Sequence, residues 1–312
     1  MREILVIRLS AMGDVIHALP AVSSLKASFP QARIVWAIKP RWAPLLEGNP
    51  AVDETILFER TARGIADAWK QLRARRFDMV IDFQGLLQTA LLARAARADR
   101  IVGLDRSQVR EPLAASFYST CVRTTAEHRV DQCLELASAA GASVQLPTFP
   151  LPEGRAEGSL PEGRFVLACP LAGWGSKQWP LENYSSVARE LSLPLVLNGP
   201  PSSAALLSSV EGATVHVSGL PGLIHATRRA HAVIGVDSGP LHLAAALGKP
   251  GVAIFGPTDP GSHGPYGGTL RVLRSPDAIT SYKRDGAVAE SMRAITPRAV
   301  LEALEASLVH VS

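Results

Sequence analysis

The chain has little that could staple, span or wrap. Its three cysteines, Cys121, Cys133 and Cys169, are odd in number and show no C-x-x-C spacing. That argues against a disulfide framework or a zinc site and points to a reducing compartment. No apolar run is long enough to cross a bilayer. The longest candidate, PLHLAAALGKPGVAIFG, contains Lys249 and Pro250 and reads as helix, turn and strand. The first apolar run is too short for a signal peptide and is broken by Arg8. A cytoplasmic protein is expected, one whose basic groups could still rest on an anionic membrane face. No basic block interleaved with aromatics occurs, so nucleic acid is not an expected partner. Two loop signatures are missing as well. One is the G-x-x-x-x-G-K-[ST] of a Walker loop; the other is the G-x-G-x-x-G of a dinucleotide site, where the first turn instead reads S-A-M-G-D. No Asp-x-Asp pair stands in a metal-binding context, so neither an essential metal nor a cofactor is expected.

Lysine is also scarce, at six of the 32 basic residues. The rest are Arg, which suits bidentate recognition of carboxylate or phosphate. With 312 residues, 47% hydrophobic and 19% charged at a net charge of +4, the chain can bury cores for two ordinary domains. Short aliphatic runs alternate with helical patterns. Strands are expected at 4–7, 33–39, 78–83 and 100–104, with helices over 14–28, 65–75, 86–96 and 129–140. A stretch dense in Pro, Gly and charge at 146–164 marks a domain boundary. A second series follows, with strands at 165–170, 193–200, 232–236 and 251–256 and helices between them. A last amphipathic helix begins at Thr296 and Pro297. The alternation predicts an α/β fold with a parallel sheet in each half, residues 1–155 and 156–312, and a ligand cleft between them.

Three strand-end loops carry the residues suited to chemistry. In RLSAMGD, Gly13 frees the backbone and Asp14 opens a helix. Asp14 reads either as a helix cap or as a general base at the C-terminal sheet edge, where open α/β sheets bind ligands. His17, one turn on, either assists or packs. In PLAGWGSKQWP, Gly173 and Gly175 allow a ligand close to the backbone. Lys177 there is either a surface lysine or a point charge placed ahead of a helix N-terminus to meet a departing diphosphate. In GVDSGPLH, Asp237 or Ser238 caps a helix. The other reading has Ser238 and the amides of Gly239 to Leu241 gripping phosphate oxygens, Asp237 holding a sugar hydroxyl and His242 donating to either. GPTDP at 256–260 ends the next strand at the same edge. Gln84 and Gly85 close the 78–83 strand on the side of Asp14, and Arg110 either pairs with Glu111 or binds an acidic acceptor.

Taken in order, RLSAMGDVIHALPA, DFQGL, REPLA followed by FY, SKQWP, VDSGPLHLAAALGKP and GPTDP resemble glycosyltransferase family 9, the lipopolysaccharide heptosyltransferases, over most of the chain. REPLA with FY is most similar to the heptosyltransferase I group. The resemblance implies a GT-B fold, two Rossmann-like domains facing a central cleft. The N-terminal domain would bind acceptor and the C-terminal one sugar nucleotide, with the final helix a candidate to pack back on the first. It implies inverting, metal-independent transfer of heptose from ADP-L-glycero-β-D-manno-heptose to a Kdo residue of a lipid A acceptor, at the cytoplasmic face of the inner membrane. By position it makes Asp14 the catalytic base and Lys177 the diphosphate lysine. Gly173, Ser218, Asp237, Ser238, Gly239 and His242 fall on the donor side, and Ser10, Gly13, Gln84 and Arg110 on the acceptor side. Two departures stand out. Ala172-Gly173 replaces a Thr-Thr pair ahead of the lysine, and segment 213–223 lacks the acidic residue expected to bind a ribose, with only His216 near. The alternatives are heptosyltransferase II, another family 9 transferase with a different acceptor or nucleotide sugar, and a non-catalytic sugar-nucleotide binder. That binder would keep Lys177 and 237–239 without needing Asp14.

Overall fold

The computed structural model describes residues 2–309. The chain divides into two compact units, Met1–Pro152 and Glu153–Ser312, the division falling inside the Pro- and Gly-rich stretch. The first unit runs β1 (Glu3–Ile7), α1 (Met12–Ser28), β2 (Arg33–Ile38), β3 (Glu54–Leu57), α2 (Ala62–Arg73), β4 (Met79–Asp82), α3 (Leu87–Ala95), β5 (Arg100–Leu104), β6 (Thr120–Val122) and α4 (Arg129–Ala140). Its strands lie in the order β3-β2-β1-β4-β5-β6, and every pairing is parallel. The chain thus starts mid-sheet, winds outward through β2 and β3, then returns to β4 on the other flank of β1. Ligands in such sheets bind beyond the carboxyl ends of the strands where the order reverses. Here that is the gap between β1 and β4, whose outgoing loops carry Asp14 and Gln84.

The central strands form because helices cover both faces. Ile4, Leu5, Val6 and Ile7 are wholly inaccessible, each contributing about 1.5–3 kcal/mol of transfer free energy. On α1 the apolar positions Val15, Ile16, Leu19, Val22 and Leu25 are buried, and the helix packs on α4.

The second unit repeats the plan: β7 (Val166–Cys169), α5 (Leu181–Glu190), β8 (Leu195–Gly199), α6 (Ala204–Leu207), β9 (Ala213–Val217), α7 (Leu220–Arg229), β10 (Ala232–Val236), α8 (Gly239–Ala246), β11 (Gly251–Phe255), α9 (Pro260–His263), β12 (Leu270–Arg274), α10 (Glu290–Arg293) and α11 (Pro297–Leu308). The order β12-β11-β10-β7-β8-β9 is again all parallel. It reverses between β7 and β10, so the loops at the switch point are 170–180 and 237–239. Helix α11 starts as its sequence suggests, the Thr296 hydroxyl accepting from the Ala299 N–H at 3.2 Å with Pro297 in the first turn. It lies against β11, β12 and α5. The loop bearing Lys177 is anchored by Trp179, whose indole N–H donates to the Ile295 carbonyl at 2.8 Å and whose ring meets Tyr184 edge-on at 4.9 Å. Among the described residues, no helix is long and apolar enough to cross a membrane.

Candidate active site

In the first unit Asp14 occupies the third position of α1, with Ala11 as the N-cap residue. Its Oδ2 accepts from the Ala11 N–H at 3.0 Å, so Asp14 does cap the helix, reaching back from inside the first turn. Its Oδ1 lies 2.6 Å from the Arg8 guanidinium, which in turn donates to the Phe83 carbonyl. The carboxylate is oriented by both contacts yet keeps 37% of its side chain exposed, open enough for proton transfer. His17 packs, its ring edge-on to His128 at 5.6 Å. The two switch-point loops are joined by the Leu9 N–H donating to Gln84 Oε1 at 2.7 Å, next in sequence to Ser10. Glu111 does not pair with Arg110. Its Oε2 accepts from the Leu87 N–H at 2.7 Å, capping α3, and its own N–H donates to the Gly85 carbonyl. Arg110 is exposed and makes no ion pair among the described residues.

Beneath this edge lies a group that the sequence did not flag. Asp82 is inaccessible to solvent, with Oδ1 accepting from the Gln84 N–H at 2.8 Å and Oδ2 from the Tyr118 hydroxyl at 2.8 Å. Burial pushes its carboxyl up, against these hydrogen bonds and one with Thr89. The arrangement fixes the turn that presents Gln84.

In the second unit Lys177 and Asp237 come together, Nζ to Oδ2 at 2.5 Å, with 16% and 7% of their side chains exposed. The Thr258 hydroxyl donates to the same oxygen at 2.6 Å, and His242 Nε2 lies 3.7 Å from Oδ1. Burial opposes the Asp237 charge, but the His242 imidazole and the Lys177 ammonium outweigh it and hold the carboxyl well below the usual range. Ser238 is the N-cap of α8 by position only, for its side chain makes no cap bond. Its buried hydroxyl oxygen has no partner among the described residues. The expected run of free amides is shorter than the sequence suggested. Pro240 has no N–H, and the Leu241 N–H donates to the Ser238 carbonyl at 3.1 Å, which leaves Gly239. Gly175 also serves a purpose other than ligand approach: a Cβ there would lie 1.8 Å from the Gly286 carbonyl oxygen, whereas Gly173 faces open space.

A family model described as glycosyltransferase family 9 (heptosyltransferase) matches residues 65–289. The chain belongs to glycosyltransferase family 9. It is similar to lipopolysaccharide heptosyltransferase 1 of Pseudomonas aeruginosa, 32% identical over 299 residues that cover 85% of this chain and 81% of that one. Among solved structures, E. coli heptosyltransferase WaaC with ADP matches at a TM-score of 0.80 and 25% identity, over 98% of this chain and 99% of that one. WaaC with ADP-2-deoxy-2-fluoro heptose matches at 0.77 and 25%, over 97% and 99%. This family 9 glycosyltransferase therefore has the two doubly wound units of the GT-B fold.

Ser218 stands apart from the Lys177 cluster. Its hydroxyl accepts from Asn198 Nδ2 at 3.0 Å, and the same amide donates to His216 Nδ1 at 2.8 Å. His216 Nε2 lies 2.6 Å from the Glu157 carbonyl oxygen, so the ring is held at both nitrogens. Segment 213–223 does have an acidic neighbour in space, the same Glu157, whose side chain accepts from the Gly219 N–H at 2.6 Å. A cavity of about 600 Å³ lies elsewhere, lined by Arg164, His231, Lys249 and Pro250 at the amino-terminal ends of β7, β10 and β11. There the Lys249 ammonium donates to the carbonyls of Arg228 and Ala230 and closes the end of α7.

Proposed function

We propose that this family 9 glycosyltransferase is inverting and metal-independent, moving heptose from ADP-heptose to a Kdo residue of the lipopolysaccharide inner core on a lipid A acceptor. The observation that supports it most is the Lys177–Asp237 pair beside the N-terminus of α8, a place built to receive a diphosphate. The C-terminal unit holds the sugar nucleotide, with Ser238, Gly239 and His242 around its phosphates and sugar and Gly173 and Ser218 bordering the nucleotide. The N-terminal unit holds the acceptor through Ser10, Gly13, Gln84 and Arg110, whose exposed guanidinium suits a Kdo carboxylate.

The reaction is a single in-line displacement. The acceptor hydroxyl oxygen bonds to the anomeric carbon as that carbon's bond to the diphosphate oxygen breaks. The proton passes to Asp14, and the electron pair leaves with ADP. Lys177 and the α8 dipole stabilise the charge that builds on the leaving group, the role a metal plays in other transferases. The test is incubation with ADP-heptose and a Kdo-bearing lipid A in EDTA, followed by mass spectrometry and NMR of the product. One heptose added with inverted anomeric configuration is expected. No transfer, or retention of configuration, would overturn the reading.

A further inference from the structure

The segment after β12 carries no motif, yet the fold docks it onto the 170–180 loop and the 256–260 loop. The Ser281 N–H donates to the Pro257 carbonyl at 2.7 Å, and the Ser176 N–H donates to the Asp285 carbonyl at 3.1 Å. The Gly286 carbonyl fills the space where any Cβ on Gly175 would be. Between these anchors stands Arg284. Its guanidinium carbon lies 5.6 Å from the centroid of the Trp174 ring, the ring that the Lys177 ammonium approaches to 4.2 Å.

Two cations therefore share one indole, and their charges are not equally balanced. Lys177 is neutralised by Asp237 at 2.5 Å. Arg284 is exposed and has no hydrogen bond or ion pair among the described residues. An anion arriving at Lys177 also meets the ionised Asp237, which takes back part of the attraction that the ammonium and the α8 N-terminus give it. We propose that Arg284 is a second cation for the donor's diphosphate, supplying the attraction that Asp237 cancels at Lys177; this rests on the donor-site reading above. Its planar fork binds two phosphate oxygens at once, which a lysine cannot do. The Trp174 ring limits the guanidinium's freedom before the ligand arrives.

The test is calorimetric titration of wild type, Arg284→Gln and Arg284→Lys with ADP and with AMP, which lacks the second phosphate. Arg284→Gln should weaken ADP about 10–100-fold and leave AMP and the melting temperature nearly unchanged, while Arg284→Lys recovers part of the loss. In steady state the KM for ADP-heptose should rise more than kcat falls. Wild-type affinity for ADP in Arg284→Gln, or equal losses for ADP and AMP, would overturn the proposal. A wild-type protein that binds neither nucleotide would instead overturn the donor-site reading, and this role with it.

Discussion

Replacing Asp237 by Asn should weaken the fold and tighten inorganic diphosphate at the same time. The carboxylate is 7% exposed and its Lys177 partner 16%. Removing one partner of a buried pair costs about 3–5 kcal/mol. Two contacts reduce that figure. The Asn oxygen still accepts from the Thr258 hydroxyl, now 2.6 Å from Oδ2, and the freed ammonium keeps the Trp174 ring, worth about 0.5–1 kcal/mol. A loss of about 2–3 kcal/mol remains, which lowers the melting temperature of the C-terminal unit by roughly 4–12 °C. The anion responds with the opposite sign. For a phosphate charge taken at about 6 Å from a carboxylate, the repulsion is about 3 kcal/mol at an effective dielectric of about 20, and salt halves this to about 1.4 kcal/mol. Pyrophosphate should therefore bind the variant roughly tenfold tighter. Differential scanning calorimetry and pyrophosphate titration read the two effects separately. An unchanged melting temperature together with weaker pyrophosphate binding would refute the charge balance argued here.

The pH dependence of the same group has a fixed sign. Because the folded Asp237 carboxyl is held low, its stabilisation is complete above the unfolded value of 3.8 and is lost as pH falls below it. Wild type should lose melting temperature below about pH 4 more steeply than Asp237→Asn; parallel curves would contradict this. Tyr118→Phe removes the 2.8 Å donor to buried Asp82 and should cost about 1–3 kcal/mol in urea unfolding; a neutral result would show that the hydroxyl does not support that turn. Gly175→Ala puts a Cβ 1.8 Å from the Gly286 carbonyl oxygen and should speed proteolysis within 281–288 while the sheet persists. An unchanged cleavage rate would contradict the docking of that segment.

The parts of this fold that the sequence displays are those buried on both sides. β1, β2, β4, β5, β7, β8, β10 and β11 all read as aliphatic runs, and all are interior strands. The strands missed, β3, β6, β9 and β12, are the four sheet edges. Their half-exposed faces mix Glu, Thr, His and Arg into segments of three to five residues, which removes the continuous apolar signal. The site divides in a similar way. Asp14, Lys177 and Asp237 were visible because they follow legible strands and precede helices. Arg284 and Glu157 reach their places from irregular segments, where no periodicity ties sequence to position. Thr258 lies in the GPTDP turn, but its bond to Asp237 depends on how β10 and β11 pair. The cap alternative for Asp14 also proved compatible with exposure, since the helix uses its Oδ2 through Ala11 while the side chain remains partly open.

The most direct test of the account is ADP release from ADP-heptose, with and without a Kdo-bearing lipid A acceptor, for wild type and Asp14→Asn. Asparagine keeps the shape of the side chain and removes its basicity. Acceptor-dependent release is expected to fall about 10²–10⁴-fold in the variant, with ADP affinity unchanged, since the proposed function assigns the nucleotide to the other unit. Full acceptor-dependent turnover in Asp14→Asn would contradict the assignment of the base.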